Sequence, residues 1–393
     1  MRVPGFQASG VCCGIKQGDP DLALIVSDLP ATAAGVFTRS SVPGAPVVLS
    51  KQRLRSGRKR GVIVNSGISN VAMGARGARA AEAMTEMAAR ALGCSSEEML
   101  VASTGVIGEP IPLAKIRAGV ALAREALSPE GLGDAARAIM TTDTFAKLAS
   151  RRVRVGGRSV TVAGIAKGSG MIEPRMATML AFLLTDAPVA AAFLRRLLRE
   201  TAEETFNRVS VDGETSTSDT VLLLANGAAG GASLRGPRSP GARALADALR
   251  AVCTDLSRDL ARDGEGATKL VTVCVEGART RGEAERAARR IGNSVLVKTA
   301  LFGGDPNWGR ILQTVGAGEV RINLERAEVR LGGVAVFRRG GSAGPGARAR
   351  AGKKLAEAEI EIRVDLATGR GRASLWTCDL SYDYVRINAE YTT

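Results

Sequence analysis

The sequence predicts an α/β protein in which strands and helices are interspersed from one end to the other. Two kinds of segment predict it. Short apolar runs bounded by turn residues, such as Met179–Leu184 ahead of Asp186-Ala-Pro188, and Val221–Ala225, read as strands buried on both faces. Longer stretches such as Gly74–Leu92, rich in Ala, Glu, Met and Arg, and Ala242–Arg262 read as helices. Composition agrees with a large core, because 45% of the 393 residues are apolar. Only 3% are aromatic, so that core must be built from Ala, Val, Leu and Ile.

In chain order, Gly5 to about Asn65 reads as short strands and turns, clearest at Leu22–Val26 and Gly61–Asn65. The Gly74–Leu92 helix follows, then a strand from Glu97 to Ala102 that runs into Ser103-Thr-Gly105. Pro112–Leu127 is amphipathic, with proline allowed in a first helical turn. The hydroxyl-rich run 139–145 reads on its own as a helix cap. Val153–Val155 and Val160–Ile165 flank Gly156-Gly157 as a hairpin. Pro188–Phe206 reads as a helix, 227–241 as a surface loop and Leu270–Val275 as a strand. Arg281–Ile291 reads as a helix, Arg338–Gly352 as a low-complexity loop, and the clean alternation of Ile360–Leu366 as a half-exposed strand.

The net charge of +15 is mostly arginine and is scattered. Nucleic-acid binding needs clustering with aromatic stacking residues, which the sequence lacks. Its densest basic run, Lys51–Arg60, reads as a solvated loop, while the overall positive field favours small anionic substrates. The six cysteines form no CxxC pair and read as thiols in a reducing compartment. Met1–Gly14 lacks a signal-peptide layout, and no apolar run reaches the ~20 residues that span a bilayer. A soluble, cytoplasmic protein without a membrane or nucleic-acid partner is expected.

The stretch Gly164–Asp186 organises the rest. A flexible turn, Lys167-Gly-Ser-Gly170, leads through Glu173-Pro174 to Ala177-Thr178 and then to the Met179–Leu184 strand. Read alone, Thr178 is a β-branched residue starting a buried strand. The chain contains no histidine, however. That removes the Ser-His-Asp triad, the Cys-His pair and imidazole metal sites. An N-terminal threonine supplies its own base instead, since an α-amine titrates near ~8 and a lysine near ~10.4. Thr178 acquires that amine only if the Ala177–Thr178 peptide is cut, which its own hydroxyl can do by attacking the Ala177 carbonyl.

Lys167-Gly-Ser-Gly-Met-Ile172, Pro174 and Met176-Ala-Thr-Met-Leu180 resemble the self-cleaving signature of the ornithine acetyltransferase family. The similarity covers the whole chain. Glu173 and Arg175 depart from it, standing where a small residue and an asparagine are expected. So do Ile68 and Ser69 in the Asn65–Asn70 turn, and Glu214 and Ser218 in the loop Asp212–Thr220. The resemblance implies that Thr178 is the nucleophile and that Thr104 and Gly105 form the oxyanion hole. It implies substrate contacts from Thr144, Lys167, Glu265, Asn388 and the terminal Thr393, with Lys167 as the cation and Glu265 as the partner of a substrate ammonium. Gly303–Leu312 matches a further signature, to which we assign a structural role beside the site.

The implied fold is a self-processing, N-terminal-nucleophile-like α/β fold with mixed sheets between helices. It is cleaved into an α chain, 1–177, and a β chain, 178–393, intertwined and assembled as an α2β2 heterotetramer. The implied reaction moves the acetyl group of N2-acetyl-L-ornithine to L-glutamate in arginine biosynthesis. No metal or cofactor is expected, and acetyl-CoA stays open as a co-substrate. Two other readings remain: an amidase or aminopeptidase with the same nucleophile, or another specialised acyltransferase, and a processing-dead scaffold. The segment Asp263–Lys269 fails the spacing of a phosphate loop and precedes a strand, so a nucleotide site is rejected.

Overall fold

The computed structural model describes residues 1–55, 57–173 and 179–390; Pro174–Thr178 and Thr393 lie outside them. The chain starts with β1 (Phe6–Val11), β2 (Leu22–Phe37), helix α1 (Ala45–Arg53), β3 (Lys59–Asn65), α2 (Gly74–Leu92), β4 (Met99–Ser103), α3 (Leu113–Glu125) and α4 (Leu132–Ala138). The hairpin β5 (Lys147–Val155) and β6 (Arg158–Lys167) follows, then β7 (Leu180–Thr185), α5 (Ala191–Glu204), β8 (Thr220–Ala225) and α6 (Ala242–Arg262). These strands form one mixed sheet in the order β4-β3-β2-β8-β7-β6-β5, with β1 also paired to β2.

Strand β2 explains how one sheet makes two layers. Its register slips between Val26 and Ala31, where Asp28-Leu-Pro30 is exposed. Before the slip β2 pairs with β3, and after it with β8. The two halves then stack face to face. Ala23, Ile25, Val62, Val64, Leu100 and Ala102 pack against Ile165, Leu180, Phe182, Leu184, Leu222 and Leu224 in one aliphatic core. The alternate residues face outwards, as period-2 side chains must. Leu24, Ile63, Met99 and Val101 meet α2 and α3, while Ala181, Leu183, Val221 and Leu223 meet α5 and α6. The result is four layers, helix–sheet–sheet–helix, and the α/β class read from the sequence is the one observed.

The chain continues through β9 (Leu270–Ala278), α7 (Arg281–Asn293), α8 (Val295–Phe302), α9 (Trp308–Gly316), β10 (Glu328–Leu331), β11 (Val334–Arg338), β12 (Gly341–Ser342), α10 (Pro345–Lys354), β13 (Glu359–Asp365), β14 (Gly371–Cys378) and α11 (Tyr382–Glu390). Their strands form a second mixed sheet, β12-β11-β10-β13-β9-β14, around a separate aliphatic core. A Val209–Trp376 bridge joins this unit to the first.

Four sequence expectations need correcting. The segment 345–354 is helix α10, not loop: Pro345 pre-sets the first turn, and Ala347 and Ala351 bury one face. The 188–206 helix begins only at Ala191, because Pro188 and Ala190 pair with Leu234 and are drawn out of helical geometry. The early region contains helix α1 as well as strands. The basic run 51–60 is not a solvated loop throughout, since it spans the end of α1 and the start of β3. Within it, Arg53 and Lys59 are buried and donate to the Met99 and Glu97 carbonyls, both at 2.9 Å.

Candidate active site

The ends of β4, β6 and β8 converge on one cavity of about 140 Å³. It is lined by Thr104 and Gly105 after β4, Thr141 and Thr142 after α4, and Lys167 at the end of β6. Ser216–Ser218 ahead of β8, Glu265 after α6 and Asn388 on α11 complete the wall. Five residues singled out by the sequence, Thr104, Gly105, Lys167, Glu265 and Asn388, thus meet there, although they are scattered over nearly three hundred positions.

Thr104 and Gly105 are held by a second turn. The Asn65 and Gly67 carbonyls accept the N–H groups of Thr104 and Val106 at 3.1 Å each. The Gly105 N–H between them meets no acceptor among the described residues. Gly105 has φ +126°, and a Cβ on it would lie 2.2 Å from the Gly67 carbonyl carbon. Only glycine fits this approach. Gly105→Ala is expected to cost roughly 2–4 kcal/mol in stability through clash and strain. It should also lower turnover by at least ~10², checked by urea unfolding alongside steady-state rates.

Lys167 is buried, and its ammonium donates to Thr141 Oγ1 at 2.8 Å and Thr104 Oγ1 at 3.3 Å. Burial lowers its pKa, while Asp143 acts to keep its charge. Behind it lies a second buried ammonium, Lys147, between Asp143 at 2.6 Å and Asp263 at 2.5 Å. Asp143 also accepts the Gly168 N–H at 2.6 Å and the Thr141 N–H at 3.0 Å. Burial opposes its charge, but Lys167 and Lys147 together bring its pKa down to about 2. Two cations and two carboxylates therefore balance beneath the cavity.

Thr144 is not on the cavity wall. Its N–H and hydroxyl both donate to Asp263, and Thr141 and Thr142 face the space instead. Glu265 is fixed by its own N–H to the Ser169 carbonyl at 2.8 Å and receives Asn388 Nδ2 at 2.8 Å. Gly170 approaches the Glu265 carboxylate closely, so that a Cβ there would meet it at 2.5 Å and push the side chain aside. Gly303–Leu312 does not line this cavity; Asp305–Gly309 line a different one, with Arg348.

The sequence marked out the loop Asp212–Thr220 by its resemblance but gave none of its residues a role. Asp212 accepts the Met171 and Ile172 N–H groups at 2.5 and 2.8 Å, and Asp219 accepts the Met179 N–H at 2.8 Å. One loop therefore grips the chain on both sides of 174–178. Glu173, the departure from the resemblance, pairs with Arg289 at 3.1 Å. Ala177, Thr178 and Thr393 fall outside the described residues. Among the described residues, no group of three or more His, Cys, Asp or Glu side chains is placed to hold a metal, and no helix is long and apolar enough to cross a membrane.

Comparison with known proteins adds four findings. The ArgJ family matches residues 7–393. The Arginine biosynthesis bifunctional protein ArgJ of Symbiobacterium thermophilum is 49% identical over 392 residues, covering 99% of this chain and 97% of that protein. Its namesake from Geobacter sulfurreducens is 48% identical over 394 residues, covering both in full. The crystal structure of Arginine biosynthesis bifunctional protein argJ from Bacillus halodurans is similar with a TM-score of 0.52 and 42% identity, covering 55% of this chain and 100% of that one.

Proposed function

The chain belongs to the ArgJ family, and from that membership we propose that it transfers the acetyl group of N2-acetyl-L-ornithine to L-glutamate through an acetyl-Thr178 intermediate. The observation that carries this reading is the cavity itself. The Thr104 hydroxyl, the Gly105 N–H, the Lys167 ammonium and the Glu265 carboxylate converge there from three separate parts of the chain. Donor and acceptor are both α-amino acids. Lys167 suits the α-carboxylate that both carry, so one carboxylate site serves both half-reactions, and Glu265 suits the side-chain ammonium of acetylornithine.

In the first half-reaction the Thr178 hydroxyl attacks the acetyl carbonyl and its proton passes to the Thr178 α-amine. The Gly105 N–H and Thr104 hydroxyl hold the oxyanion. Collapse breaks the carbon–nitrogen bond, and ornithine leaves with that proton. The amine of glutamate then attacks the acetyl ester, and N-acetylglutamate departs as the Thr178 hydroxyl is restored. Splitting one transfer into two steps of this kind lowers each barrier. The ester must be kept from water while glutamate replaces ornithine.

This mechanism requires the chain to be cut between Ala177 and Thr178, as in an N-terminal-nucleophile fold. The cut halves would form an α2β2 assembly in the cytoplasm, with acetyl-CoA as an optional second donor. The test is to follow labelled acetyl from acetylornithine with glutamate present. Label recovered in N-acetylglutamate is expected, and label released as free acetate would mean an amidase instead.

A further inference from the structure

A second cavity, of about 440 Å³, lies beside the catalytic one and takes no part in the reaction proposed above. Residues 69–71 and 106–108 run between the two and are bonded to each other. Ser69 donates its N–H and its hydroxyl to the Val106 carbonyl at 2.9 and 2.8 Å, and Gly108 donates to the Val71 carbonyl at 3.2 Å. Ser69 and Ile107 face the catalytic cavity, whereas Asn70 and residues 110–114 line the second. Its remaining wall is the start of α2, with Arg76 and Arg79. Consecutive Cα atoms are about 3.8 Å apart, so the two walls are separated by one residue on one segment and by three on the other.

No carboxylate lines this second cavity. Arg76 and Arg79 are exposed, and neither has a carboxylate partner among the described residues. The first turns of α2 and α3 both reach it, and neither carries a capping side chain or an acidic residue. Each therefore presents N–H groups that lack an intrahelical acceptor, together with the positive end of its dipole. Ile111 and Leu113 give the cavity an apolar floor. Asn70 supplies an independent sign of a ligand. It is only 1% exposed; its Nδ2 donates to the Gly77 carbonyl at 2.9 Å, while its Oδ1 is buried without a hydrogen-bond partner. That oxygen stands against the cavity wall, since a Cβ on Gly77, itself a wall residue, would lie 2.7 Å from it. Buried polar atoms are nearly always partnered, and this acceptor calls for an N–H or O–H donor.

We propose that this cavity is a second binding site, for the phosphate end of a ligand that carries an apolar ring beside its phosphate, as a nucleotide does. Two arginines and two helix N-termini match the phosphate oxygens. The floor of Ile111 and Leu113 matches the ring, and the Asn70 oxygen accepts from an amino or hydroxyl group beside it. Such a ligand has two sources: a free nucleotide, or the nucleotide end of an acyl-coenzyme A whose flexible arm passes residues 69 and 107 into the catalytic cavity. The site is separate from the Asp263–Lys269 segment, and it goes beyond the acetylornithine reaction, neither of whose substrates carries a phosphate.

The double variant Arg76→Glu/Arg79→Glu tests it. Both side chains are exposed, and a glutamate in the first turn of α2 favours the helix. The variant is therefore expected to fold and to transfer acetyl from acetylornithine at the wild-type rate. In calorimetric titrations the wild type should bind coenzyme A or ADP, and the variant should bind the same probe more weakly, by ~10-fold or more for each arginine. Coenzyme A held more tightly than ADP assigns the site to an acyl-coenzyme A; ADP held at least as tightly assigns it to a free nucleotide. Failure of the wild type to bind either probe at millimolar concentration overturns the proposal, and so does equal affinity in variant and wild type. If the wild type shows the binding difference but passes no acetyl from acetylornithine to glutamate, the reaction proposed above fails and this site stands.

Discussion

Thr178→Ala is expected to leave a single uncut chain of 40.7 kDa and to reduce acetyl transfer roughly 10⁴-fold or more. One atom would be missing from two reactions. Without the hydroxyl nothing attacks the Ala177 carbonyl, so the α-amine that serves as base is never released, and nothing accepts the acetyl group afterwards. Thr178→Ser retains the hydroxyl and should still be cut, more slowly. A denaturing gel and mass spectrometry read the first reaction, and labelled acetyl reads the second. Normal turnover by an uncut Thr178→Ala chain would dismiss the mechanism altogether.

Lys147→Met is expected to destabilise the fold by about 3–5 kcal/mol, the usual consequence of removing one partner from a buried ion pair. The side chains of Lys147, Asp143 and Asp263 are at most 2% exposed, and Lys147 bonds to both carboxylates. Methionine fills the volume but strands two buried charges with Lys167 alone. Asp143 also gives the effect a pH signature. Its pKa in the fold, about 2, lies below the ordinary carboxylate value of 3.8. Its contribution to stability is therefore fully present above pH ~4 and is lost as pH falls towards 2. In Lys147→Met that depression is relieved, so acid unfolding should begin at higher pH. Urea titrations at pH 7 and pH 4 measure both effects; equal stability of variant and wild type at pH 7 would contradict the ion-pair account.

The strands were legible in the sequence because both-face burial leaves a plain mark. Leu180–Thr185 and Thr220–Ala225 are apolar runs that nothing but a covered strand explains. Helix α10 was hidden by its glycine- and arginine-rich composition, which resembles a loop until Ala347 and Ala351 find a surface to cover. The fold-over of β2 was hidden too, because it shows locally only as the exposed Asp28-Leu-Pro30.

Within the site, resemblance pointed to Thr104, Gly105, Lys167, Glu265 and Asn388, and the fold brings them to one cavity. It could not tell which of three neighbouring hydroxyls faces that space. Thr141 and Thr142 do so because Asp263 captures Thr144. The loop holding Asp212 and Asp219 was recognised by resemblance, but their role was not, since their task is to receive backbone N–H groups some forty residues away.

The order of strands in the first sheet has a consequence for a chain broken after Ala177. Strand β7 lies between β6 and β8, and β8 lies between β7 and β2, so material from both sides of the break alternates across the layer. Six residue pairs join β6 to β7 and another six join β2 to β8. Separating the fragments would tear open two hydrogen-bonded seams and the aliphatic interior they enclose. The broken molecule should therefore travel as one particle under native conditions and come apart only in denaturant, with neither fragment able to complete the layer by itself.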